Sequence, residues 1–91
     1  MQPFTRLKAE TKQLGFAFLK TDLEAGITFA QIALGASDQE KLDRNRENAR
    51  KADQAVKHFL ARIKLTSEER TELQGLQQKL ASLLRQLGET V

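Results

Sequence analysis

Nowhere else in this chain do as many basic and amide side chains stand together as at positions 44 to 51, where Arg44, Asn45, Arg46, Asn48, Arg50 and Lys51 fall within eight residues. Arginine and lysine neutralise phosphates and asparagine reads base edges, so the segment has the composition of a nucleic-acid-reading helix. Asp43 and Glu47 interrupt it, however, and no aromatic residue is interleaved to stack on unpaired bases. Charges alternating at three- and four-residue spacing also stabilise an exposed helix with no ligand at all. Nucleic-acid binding through this basic face is therefore the alternative function. It is not the leading one.

The remaining reactive groups are scattered. His58 is the single histidine, beside Lys57 and one turn from Arg62, and Asp53 lies five residues away, off the face that would orient it. A metal site needs several converging ligands and a general base needs an orienting acid, and His58 has neither in its pattern. Glu68 and Glu69 are adjacent, so they point different ways around a helix, where capping and the helix dipole account for them. Ser37, Ser67 and Ser82 have no neighbouring base, and the glycines are isolated, which excludes a phosphate loop. With no cysteine there is no thiolate ligand and no disulfide. The expectation is a non-enzymatic protein with no catalytic, cofactor-binding or metal-binding residues.

The elements that carry these residues are helical throughout. The longest run free of Gly and Pro, 37–64, holds Leu42, Asn45, Ala49, Ala52, Val56, Phe59 and Ile63 at strict 3,4 spacing, the seam of a helical bundle. Ser37 with Glu40 offers a capping box at its start. Asn45 stands where Leu or Ala belongs, either setting register or lying in a wet, splayed part of the bundle. Further on, Thr66 and Glu69 form another capping box. Leu73, Leu76, Leu80, Leu83 and Leu87 keep the 3,4 spacing, Leu84 broadens their stripe, and Gly88 closes the helix before a short tail.

The first third of the chain carries two patterns. Phe4, Leu7, Thr11, Leu14 and Phe18 follow 3,4 spacing amid Arg6, Lys8 and Lys12, with Phe16 widening the face. Thr21 and Glu24 make a capping box that predicts a restart at Thr21. From Leu23 to Leu34 the apolar residues point nearly all round, so this helix is central to its bundle or faces both its bundle and a second subunit. Gly35 sits where a glycine cap belongs. The fold class read from these patterns is all-α: a small antiparallel bundle of helices over about 21–35, 38–64 and 67–87, with an additional N-terminal helix over about 3–19. In that reading the last two helices satisfy each other, leucine stripe against Ala/Phe/Ile stripe.

Ninety-one residues make one domain, and a domain of this size gains much from burial against a second molecule. A net charge of +3 with acids and bases intermixed describes a solvated surface rather than a polyanion binder. The N-terminal residues lack an apolar signal-peptide core, and the expected compartment is the cytoplasm. The predicted function is a protein–protein interaction or assembly module whose partner is another protein or a second copy of itself, a homodimer first. Phe4, Leu7, Phe16, Phe18, Ile27, Phe29 and Ile32 form the predicted partner surface. A further alternative is attachment to a membrane surface by the N-terminal amphipathic helix.

Overall fold

The computed structural model describes the backbone of residues 3–91 and the side chains of residues 15–91. Three helices make the bundle: α1 (Pro3–Gly35), α2 (Gln39–Leu60) and α3 (Ser67–Gln86). Short connections turn each helix antiparallel to the one before it. The all-α bundle predicted from the spacing is the fold observed. No helix among the described residues is long and apolar enough to cross a membrane.

The predicted break at Thr21 does not occur. α1 runs unbroken for 33 residues, about 50 Å at 1.5 Å per residue. The capping box at Thr21 is a local preference, and a continuous stripe overrides it: Leu19, Leu23, Ile27, Ala30 and Ala33 are all buried. A kink at Thr21 would swing Leu19 off that stripe. Burial of a leucine contributes about 2 kcal/mol, more than one cap supplies.

This helix organises the molecule. Both α2 and α3 pack mainly on α1 and touch each other far less. The all-round apolar character of 23–34 follows, because one side of α1 takes α2 and the next takes α3. Leu73, Leu80 and Leu84 of α3 and Ala49, Ala52 and Val56 of α2 close on the α1 stripe in the core. The expected direct pairing of the last two helices is thus replaced by a shared central helix. Lys20 of α1 ties to Glu72 of α3 at 2.7 Å on the exposed rim.

Helix ends follow local chemistry closely. Asp38, not Ser37, caps α2: its Oδ1 accepts from the Lys41 N–H at 2.8 Å. α2 stops at Leu60 rather than near Lys64. Ile63 and Leu65 pack on the core from the connection, outside the helix. The Thr66–Glu69 capping box is fully formed, with Glu69 N–H donating to Thr66 Oγ1 at 3.1 Å and Thr66 N–H to Glu69 Oε1 at 2.9 Å. At the other end Gly88 takes φ +90. Its N–H donates to Arg85 O, and the Glu89 N–H donates to Leu84 O, the paired bonds of a Schellman cap. Gly35 keeps a negative φ and simply ends α1.

Candidate interaction surface

The Arg44, Asn45, Arg46, Asn48, Arg50 and Lys51 segment lies in the first two thirds of α2, and most of its polar groups are engaged within the chain. Asn45 is only 8 % exposed, and its Nδ2 donates to the Lys41 carbonyl at 2.8 Å. It is therefore neither wet nor bonded across the bundle; its own helix satisfies it. Arg46 pairs with Asp43 at 3.3 Å and reaches Glu89, beyond α3, at 3.6 Å. Arg50 forms a two-pronged pair with Glu47, whose carboxyl is held below the usual range chiefly by that hydrogen bond. Arg44 and Lys51 are left outside any ion pair among the described residues. Two such cations are a poor phosphate track.

Replacing Arg44→Glu and Arg46→Glu together is expected to leave the bundle folded. Both side chains work at the surface, where substitutions shift stability by roughly 0.5 kcal/mol each. A urea melt compares the variant with the parent. Collapse of the fold would mean that Arg46 anchors α2 to the end of α3 far more strongly than an exposed ion pair allows.

The other candidates contact near neighbours in sequence. His58 is exposed, its ring edge-to-face with Phe59 and the Arg62 guanidinium beside it. Among the described residues no three His, Cys, Asp or Glu side chains stand close enough to hold a metal ion. Asp53 is 2 % exposed, a burial that nothing in its sequence setting announces. Its carboxylate is matched by Lys57 at 2.9 Å, one turn along α2. The two sit in a polar depression of about 370 Å³ between α2 and α3, with Gln74, Gln77 and Gln78 around them.

A different place is left unfinished. Along α1 the positions Phe18, Asp22, Ala25, Phe29 and Ile32 repeat at 3,4 spacing, forming a second stripe beside the core stripe. Lys20, which faces α3, stands nearly opposite Phe18 at about 100° per residue, so this second stripe lies on the flank away from α3. α2 lines the same flank with Asn48, Lys51, Ala52 and Ala55, and the two helices enclose a cleft of about 410 Å³. At its mouth Phe18 is 58 % exposed and Phe59 is 41 % exposed. Their rings meet edge to face at 6.3 Å. Burial raises the Asp22 carboxyl above the ordinary aspartate range. No cation among the described residues pairs with it.

This cleft gathers part of the surface expected from the sequence. Phe18 and Ile32 are exposed, and Phe29 is half-buried on the cleft wall. Ile27 is 7 % exposed and belongs to the core, because it faces inward on the first stripe rather than outward on the second. Phe16 packs against the core from the side. The side chains of Phe4 and Leu7 lie outside those the structure describes. The spacing does not announce Asp22 at this place or the exposure of Phe59, which continues the seam of α2. Comparison with protein-family models, with curated proteins and with solved structures finds no match to this chain.

Proposed function

We infer that this protein is a non-enzymatic interaction and assembly module that docks a partner along the α1–α2 edge. One observation carries the reading: two large aromatic side chains, Phe18 and Phe59, stand in solvent at the mouth of a cleft floored by alanines. Scattered apolar residues are normal on a surface, but contiguous aromatic patches framed by polar residues mark protein contacts. The small side chain of Ala55 on the cleft wall leaves room for close approach of a partner's helices.

The test is the paired substitution Phe18→Ser and Phe59→Ser. Neither ring is buried within its own chain, so at concentrations too low for association the unfolding midpoint of the variant is expected to stay close to that of the parent. Association measured by light scattering after gel filtration is expected to fall by about tenfold or more, because exposed aromatic anchors carry much of an interface's energy. A variant that associates as the parent does contradicts the assignment of this edge.

A further inference from the structure

We propose that the occupant of the α1–α2 cleft is the same cleft of a second copy, related by a two-fold axis running along it, so that α1 of each copy packs on α2 of the other. The inference rests on the interaction-module reading above and adds the partner and its geometry. Its warrant is that the cleft is complementary to itself. One flank, on α1, carries Asp22, and the other, on α2, carries Lys51. Neither is in an ion pair among the described residues. The rest of the lining is Phe18, Phe29, Ala52 and Ala55, with Asn48 the one uncharged polar side chain among them.

The register of the two helices fixes what such an axis would bring together. Phe18 lies level with Phe59, and Gly26 lies level with Ala52. Asp22 is therefore level with Ala55, and Lys51 stands one turn along α2 from Ala55, roughly 6 Å. A two-fold along the cleft keeps these levels and exchanges the flanks. Asp22 of each copy then comes over the other copy's α2 within reach of a lysine arm one turn away, and the pair occurs twice by symmetry. Phe18 of each copy meets Phe59 of the other, the same edge-to-face contact already made within the chain.

The resulting arrangement is regular. α1 and α2 are antiparallel within a copy, and the axis leaves the two α1 helices parallel. Each α1 is consequently antiparallel to both α2 helices beside it, the neighbour relation of an up-down four-helix bundle. α3 sits on the far flank of α1 and does not obstruct the cleft. A second copy also answers the position of Asp22, which burial already disfavours as a carboxylate while the described residues of its own chain supply no counter-ion. A groove that merely awaited an unrelated apolar helix would have no use for one acid and one base on opposite walls.

Charge swaps test the pairing. Asp22→Lys and Lys51→Asp each place like charges at both symmetric contacts, so each variant alone is expected to dimerise about tenfold more weakly or worse. Mixing the two variants in equal amounts restores opposite charges at both contacts. The introduced lysine of one copy faces the introduced aspartate of the other, and the unaltered Lys51 of the first faces the unaltered Asp22 of the second. A heterodimer is therefore expected to recover at the parent's affinity. Circular dichroism confirms that each variant is folded before mixing. Recovery on mixing excludes a pairing confined within one chain, which mixing cannot repair. If the single variants dimerise as well as the parent, or if mixing restores nothing, this geometry is overturned. Loss of association in the Phe18→Ser, Phe59→Ser variant would then still leave the interaction surface standing, docked in another way.

Discussion

Leu80→Asp is expected to leave no cooperatively folded protein at neutral pH. Leu80 is wholly buried at the middle of the core, with its methyl groups against Gly26 of α1. Removing its side chain would alone cost about 2–5 kcal/mol. An aspartate in its place adds a carboxylate among apolar side chains, a penalty of several kcal/mol more. A small domain has only about 5–15 kcal/mol in total. The far-ultraviolet circular dichroism of the variant should therefore lack the parent's helical signal and melt without a transition. A sharp melt near the parent's temperature would place Leu80 outside the core and remove α3 from its position on α1.

The second large effect is expected at Gly26. A methyl group there would stand 2.9 Å from the Ala52 Cβ and 3.0 Å from Leu80 Cδ2. Ala52 has no rotatable side chain with which to yield, so α2 itself would have to move. Alanine favours helix over glycine by about 1 kcal/mol, and overpacking of a close contact costs about 1–3 kcal/mol. Gly26→Ala should accordingly lower stability by about 1 kcal/mol, and Gly26→Leu by about 3 kcal/mol or more. Gly75, on the exposed side of α3, has nothing within 4 Å of the same methyl position. Gly75→Ala is expected to raise stability by about 0.5–1 kcal/mol. Urea melts of the two alanine variants should thus move in opposite directions. If both rise, the helices do not approach closely at Gly26, and the crossing of α1 over α2 and α3 is misplaced.

Local signals in the sequence hold where only near neighbours decide the outcome. The Thr66–Glu69 box, the leucine stripe of α3 and the glycine at 88 depend on residues within a turn of one another, and each stands where the spacing put it. The Thr21 box failed because its rival was tertiary: the stripe from Leu19 to Ala33 has value only once α2 and α3 are present to cover it. The same limit applies to Gly26. In the sequence it reads as a weak point of a helix, and only the distance to Ala52 shows it to be a contact.

The cleft was half legible for a related reason. Spacing places Phe18, Phe29 and Ile32 on a common face, but it does not say which apolar face of α1 the other helices leave uncovered. α1 has two such stripes, side by side. The choice between them is made by where α2 crosses, at Gly26 and Ala52, and that crossing puts Ile27 inside and Phe18 outside. The basic segment on α2 was legible as a composition but not in its pairing, since spacing does not reveal that Glu89, far along the chain, reaches Arg46.

Sedimentation equilibrium of the unaltered chain over a micromolar concentration series tests the docking edge most directly. The weight-average mass is expected to rise with concentration from that of one chain toward that of two, and to level off there, because a two-fold cleft closes on itself. A mass that stays at one chain throughout would contradict self-association along the α1–α2 edge.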